Sequence, residues 1–106
     1  MGVFVICAYR PKKGKTRQLR KILEDHLPIL RKEGLATKRP SYVMRAADGT
    51  FIEVFEWKSS AAIDRAHKSP VVQAMWAKFD EACTYESLAN LEESKRPFSD
   101  FAPVDL

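Results

Sequence analysis

The sequence predicts an α+β domain with the ferredoxin-like element order βαββαβ, in which a four-stranded antiparallel sheet carries two helices on one face. Two observations support this prediction. Short apolar runs alternate with segments of helical period in that order along the chain. The chain has 106 residues, which suits one domain, and no segment reaches the ~18–20 apolar residues of a membrane-spanning helix.

The first strand and the first helix are distinguished by a change of hydrophobic period. Residues 3–10 are apolar and rich in β-branched and aromatic side chains, which is typical of a strand. After a break at residues 11–14, apolar side chains recur every three or four positions, as in an amphipathic helix that ends at Gly34. Pro28 lies inside this helix and should kink or loosen its last turns because proline lacks an N–H group.

A hairpin is predicted next. Residues 37–46 form the second strand, and residues 51–57 form the third, which is the most strongly apolar. Asp48 and Gly49 lie between them, and an Asp-Gly pair favours a tight turn because glycine accepts a positive φ.

The second helix and the last strand follow. Ser69 before Pro70 predicts a capped helix start, and the helix should end near Cys83. Residues 85–91 form a weaker fourth strand. The tail, residues 92–106, has no period but contains two phenylalanines, so we expect it to dock on its own domain or on a dimer partner.

The strands predict a partner for the second face of the sheet. A sheet covered on one face should alternate apolar and polar residues. The predicted domain comprises residues 1–91. Its first strand does not alternate in this way, because Val5 and Cys7 on one face and Phe4 and Ile6 on the other are all apolar. Two helices cover only one face, so we expect the other face to pack against a second copy in a homodimer.

The charge distribution is uneven. Residues 1–39 contain eleven Lys and Arg against three Asp and Glu, although the whole chain has a net charge of +4. A basic patch can attract nucleic acid through counterion release. Aromatic side chains do not interleave with this patch, so a solvated helix face is the favoured interpretation and nucleic-acid binding is not expected.

The cysteines and the N-terminus predict a cytoplasmic protein. The first seven residues lack the basic start and the small-residue cleavage site of a signal peptide. Cys7 and Cys83 are therefore expected to be reduced, buried thiols.

Two histidines are candidate catalytic bases, because histidine transfers protons near neutral pH. His26 lies in the apolar stripe of the first helix, and His67 precedes the Ser69 cap. Each could instead be a half-buried histidine with satisfied hydrogen bonds or a helix-end cap. Two histidines without clustered carboxylates argue against a metal site.

An apolar cavity and one acidic residue complete the candidate site. Glu53 lies on an apolar strand face, where a carboxylate needs a partner. It could act as an acid in a pocket, but pairing with Arg45 across the hairpin is favoured. Four aromatic residues could line the cavity, although their spacing also fits a plain core: Trp57, Trp76, Tyr42 and Phe79.

Three segments resemble the antibiotic biosynthesis monooxygenase-like family of dimeric α/β barrels, in particular small bacterial members of unassigned activity. They are residues 5–15, the Phe-Glu-Trp-Lys-Ser segment 55–59, and the helix that runs from Ala66-His67 to Trp76. The resemblance covers most of residues 3–91.

The resemblance implies either cofactor-independent oxygenation of small phenols or quinols, haem degradation, or ligand binding. It suggests His67 as the base or hydrogen-bond donor, with Trp57 as a wall beside it. Haem ligation is not expected, because Trp76 stands where haem degraders of this fold have their axial histidine. The sequence thus leaves two hypotheses, namely a cofactor-free monooxygenase and a non-catalytic homodimer that binds a small molecule or is purely structural.

Overall fold

The sheet has five antiparallel strands rather than the four predicted. The computed structural model describes residues 1–106, and its strands are β1 Val3–Pro11, β2 Tyr42–Arg45, β3 Phe51–Trp57, β4 Cys83–Glu86 and β5 Ala102–Pro103, in the spatial order β4-β1-β3-β2-β5. The additional strand, β5, lies in the tail and pairs with β2. Two residues are too few to show a strand period, so the sequence pattern did not predict it.

There are three α-helices rather than two: α1 Thr16–Lys32, α2 Ser60–Ala66 and α3 Pro70–Ala82. α2 and α3 are separate because each has its own serine cap, in which the hydroxyl of Ser59 or Ser69 accepts a backbone N–H. The last predicted strand is also shorter than expected, because a 3₁₀ turn begins at Leu88. None of these helices combines the length and the apolar character that a membrane crossing requires.

The predicted end of α1 and the predicted hairpin turn are confirmed. α1 continues through Pro28 and ends before Gly34, whose φ of +73° is the left-handed conformation that glycine favours. Gly49 has a φ of +95°, and the Asp48 carboxylate accepts the Thr50 N–H at 2.8 Å. The bonds from Thr50, followed by the charge of Arg10, hold the pKa of Asp48 below its ordinary value.

The main core lies between the helices and one face of the sheet. Every second side chain of β1 and β3 faces the helices. Tyr9 and Phe55 are two of these, and they pack with Leu19 of α1 and Phe79 of α3. Because β1 and β3 are central and pair along their length, they hold this face rigidly in register. The candidate site is built on this face.

The opposite face is covered at one end by the segment that follows β4, which comprises residues 87–91 and the tail. Leu91 is fully buried against Ala8 and Ile52, and Phe101 packs on the same cluster. This segment leaves β4 at one edge of the sheet, and its tail reaches β2 near the other edge, so it crosses this face. It is anchored by Glu93, whose carboxylate accepts the Ala47 N–H at 2.8 Å.

The other end of this face remains uncovered. Phe4, Ile6 and Tyr42 are 55%, 52% and 64% exposed. Ile6 and Tyr42 lie on either side of Val54 in the sheet register, so the three exposed side chains are neighbours. We call Phe4, Ile6 and Tyr42 the open-face patch.

Candidate functional site

A cavity of about 530 Å³ opens between the sheet and the helices. β1 and β3 form its floor through Val5, Cys7 and Tyr9 and through Phe55 and Trp57. Nine of its thirteen lining residues are hydrophobic, so its walls suit the apolar part of a bound molecule.

The structure brings most of the predicted site residues to this cavity. Five of them line it: His26, His67, Trp57, Trp76 and Phe79. Glu53 lies behind His26 and is bonded to it.

The prediction that Tyr42 lines the cavity is wrong. Tyr42 pairs with Val54, which is one position from Glu53 and therefore faces the other side of the sheet. The Tyr42 side chain belongs to the open-face patch, where it is exposed.

A buried hydrogen-bonded cluster lies at the inner wall of the cavity. His26 Nδ1 is 2.8 Å from Glu53 Oε1 and 3.1 Å from Oε2, and the Tyr9 hydroxyl donates to Oε1 at 2.8 Å. Glu53 and His26 are 1% and 3% exposed, so the three groups satisfy one another rather than water. We call Tyr9, His26 and Glu53 the Glu53 cluster.

The predicted pairing of Glu53 with Arg45 is wrong. In the β2–β3 register Arg45 is opposite Phe51, and its guanidinium lies 4.9 Å from the centre of that ring. Glu53 is two residues further along β3, a displacement of roughly 7 Å, and it faces the interior between Val43 and Cys7. The hairpin therefore offers it no cation.

The bond between His26 and Glu53 determines which ring nitrogen can react. A carboxylate at Nδ1 favours the tautomer that carries its proton on that nitrogen. Nε2 is then the unprotonated nitrogen, and no side chain or backbone group of the protein is bonded to it. Because the ring lines the cavity, Nε2 is available to accept a proton from a bound molecule.

Tyr9 is a site residue that the sequence analysis missed. Its ring stacks on Phe79 with the centres 5.0 Å apart, and it lines the cavity. Burial, together with the negative charge of Glu53, raises the pKa of the Tyr9 hydroxyl well above its ordinary value, so the hydroxyl stays protonated and remains a donor. The sequence shows that Tyr9 lies on the same strand face as Cys7. Its contact with Glu53 of β3, however, depends on the register between β1 and β3.

His67 lies at the mouth of the cavity, where it ends a helix. It is the C-cap residue of α2 and its Nδ1 donates to the Ile63 carbonyl oxygen at 2.8 Å. The ring packs edge-on against Trp76, with the centres 5.0 Å apart. This is the helix-end arrangement that the sequence analysis gave as the alternative to catalysis.

The cavity is also lined by the thiol of Cys7 and the carboxylate of Asp80. Burial raises the pKa of the Cys7 thiol, so it is not a reactive thiolate. Asp80 and Trp76 are one helical turn apart on α3 and both line the cavity. The structure contains no group of three or more His, Cys, Asp or Glu side chains placed to hold a metal ion.

Comparisons with known proteins support the fold and not an activity. No protein-family model matches the chain, and no curated protein sequence matches it. The solved structure of Rv0793 from Mycobacterium tuberculosis aligns with a TM-score of 0.63 over 87% of this chain and 97% of that chain, at 24% identity. This likeness concerns the fold alone.

Proposed function

We propose that this protein belongs to the antibiotic biosynthesis monooxygenase-like family and oxygenates a small phenol or quinol without a cofactor. The observation that carries this proposal is the unbonded Nε2 of His26, on a ring fixed by Glu53, at the wall of an apolar cavity of about 530 Å³. A fixed base beside an apolar wall is what such a reaction needs from a protein.

The proposed reaction begins with proton transfer. His26 Nε2 accepts the proton of a substrate hydroxyl, and the Glu53 carboxylate stabilises the resulting imidazolium. Tyr9 holds Glu53 in place by donating to its Oε1. The electron-rich phenolate then reacts with dioxygen, so that a hydroquinone and O₂ give a hydroxyquinone and water. The substrate supplies all the electrons, and no further reductant is required.

Replacing His26 with asparagine is expected to reduce oxygen uptake by about 10²–10⁴-fold. Asparagine can still donate toward Glu53 through its side-chain amide, whereas the accepting Nε2 is lost. The measurement is oxygen consumption with a panel of small quinols, corrected for the rate of spontaneous oxidation. Unfolding curves of the variant show whether the protein is still folded.

The matched control is His67→Ala, which removes the histidine at the mouth. Its rate is expected to stay within a few-fold of the original. A large loss in His67→Ala with little change in His26→Asn would transfer the role of base to His67 and contradict this assignment.

The alternative is a small-molecule-binding protein without catalysis. It is favoured by the packing of His26, whose ring lies edge-on to Phe55 and Phe79 with centres 5.3 and 5.0 Å away, as in a purely structural core histidine. Quinol binding without oxygen uptake above the spontaneous rate would support this alternative and reject the enzyme.

We propose further that the protein forms a homodimer through the open-face patch, as a dimeric barrel built from two ferredoxin-like domains. The patch supports this proposal because three large neighbouring side chains at one end of a sheet face are unusually exposed for a small monomer. Arg39 and Glu56 pair at 3.0 Å beside it, and Arg39 also lies over the Phe4 ring, which gives the patch a polar rim.

Ile6→Glu is expected to convert a dimer of about twice 12.1 kDa into a monomer, because it places a charge in the apolar interface. Light scattering during gel filtration measures the mass. Val71→Glu is the control, since Val71 is similarly exposed but lies on α3. A monomeric original protein, or a dimer that survives Ile6→Glu, would contradict the proposed interface.

A further inference from the structure

The lining of the cavity includes the carboxylate of Asp80 but no lysine or arginine. The Asp80 carboxylate forms no ion pair. Lys12 lies close to it, but its ammonium donates to the backbone carbonyl oxygen of Asp80 at 2.6 Å, outside the lining. Burial, followed by the charge of Asp80, raises the pKa of the neighbouring Tyr85 hydroxyl, which also lines the cavity.

The second carboxylate of the lining, that of Glu86, is paired with an arginine. Glu86 is opposite Ala8 in the sheet register, so its side chain faces away from the helices, where it lies 3.6 Å from Arg10. Asp80 is therefore the acidic side chain at the mouth whose charge is left without an ion-pair partner.

The walls add to the attraction for positive charge. Trp76 of α3 and Tyr85 of β4 flank the mouth, and Tyr9, Phe55 and Trp57 lie further in. The faces of aromatic rings attract organic cations, most strongly where water is excluded. The Glu53 carboxylate, behind His26, contributes a further negative charge that no lysine or arginine compensates.

We infer that the cavity takes an aromatic ligand whose side chain ends in a protonated amine. The ammonium lies at the mouth against Asp80, Trp76 and Tyr85, and the aromatic ring lies between the sheet and α3. The placement of a ligand hydroxyl toward His26 rests on the proposed function, whereas the preference for a cation rests on the mouth. Anionic ligands of the same shape are disfavoured because the carboxylates of Asp80 and Glu53 repel them.

Three phenols of similar shape and different charge test this inference: tyramine, 4-propylphenol and 3-(4-hydroxyphenyl)propionate. Affinities are measured at low salt by calorimetry and by quenching of the fluorescence of Trp57 and Trp76. Tyramine is expected to bind about tenfold more tightly than 4-propylphenol, and the propionate about tenfold more weakly.

Asp80→Asn should reduce the preference for tyramine over 4-propylphenol to about threefold or less, with the affinity for 4-propylphenol retained. Glu81→Gln is the matched control, because it removes the same charge from the next residue, which does not line the cavity. The preference for tyramine should be unchanged in Glu81→Gln. An effect seen only in Asp80→Asn then comes from the cavity and not from the net charge of the protein.

The inference is overturned if tyramine does not bind, if the propionate binds as tightly as tyramine, or if Asp80→Asn leaves the preference unchanged. These measurements need no turnover. Failure of the oxygen-uptake assay would therefore reject the monooxygenase and leave the cation preference unaffected. Oxygen uptake without a preference for tyramine would reject the cation site and leave the monooxygenase unaffected.

Discussion

Replacing His26 with leucine is expected to destabilise the protein by about 3–5 kcal/mol, because it leaves a buried carboxylate without the partner that hydrogen-bonds to both of its oxygens. Glu53 is 1% exposed and would keep only the Tyr9 hydroxyl, on Oε1. The free energy of unfolding in urea at pH 7 measures the loss.

A triple variant separates buried charge from packing. His26→Leu with Glu53→Leu and Tyr9→Phe removes every polar side-chain atom of the Glu53 cluster. Replacing a buried polar network with apolar groups of similar volume is often neutral or stabilising, so most of the lost stability should return. If the triple variant is as unstable as His26→Leu alone, the loss comes from the shape of the imidazole and the charge explanation is wrong.

Phe79→Ala is expected to have the second large effect, a loss of about 3–5 kcal/mol in the free energy of unfolding. Phe79 is 1% exposed and its ring contacts both Tyr9 and His26, with centres 5.0 Å away in each case. Truncating it enlarges the cavity and removes the wall against which the Glu53 cluster is held. The melting temperature should fall by roughly 12 °C or more.

Val71→Ala on the same helix is the control for this prediction. Val71 is 48% exposed, so its truncation should change the free energy of unfolding by no more than about 0.5 kcal/mol. A loss below about 1 kcal/mol in Phe79→Ala would mean that the sheet and α1 close over the vacated space, and that the cavity is less rigid than its geometry indicates.

Both predictions depend on contacts that no local pattern contains. His26 was a candidate base because of its residue type and its place in the apolar stripe of α1, and Glu53 because a carboxylate on an apolar face needs a partner. That these two residues are partners depends on how α1 packs over β3. The sequence pattern favoured Arg45 instead, because the hairpin brings these two residues onto neighbouring strands.

The sequence by itself determined most of the elements. A period of two or of about 3.6 residues is a local property, as are serine caps, the glycine that ends α1 and the Asp-Gly turn. These predicted the α+β class, the order of the first four strands and the apolar character of both faces of β1. They also placed Trp57, Phe79 and His26 on inward faces.

Only the tertiary structure decided which faces and residues meet. The β2–β3 register put Tyr42 on the face opposite to Glu53, and the β1–β3 register put Tyr9 within reach of that carboxylate. The two-residue strand β5 formed because the tail crosses the sheet and reaches the edge of β2. Register and docking are set by the free energy of many distant contacts at once, and a shift of one residue moves every side chain to the other face, so no local period records them.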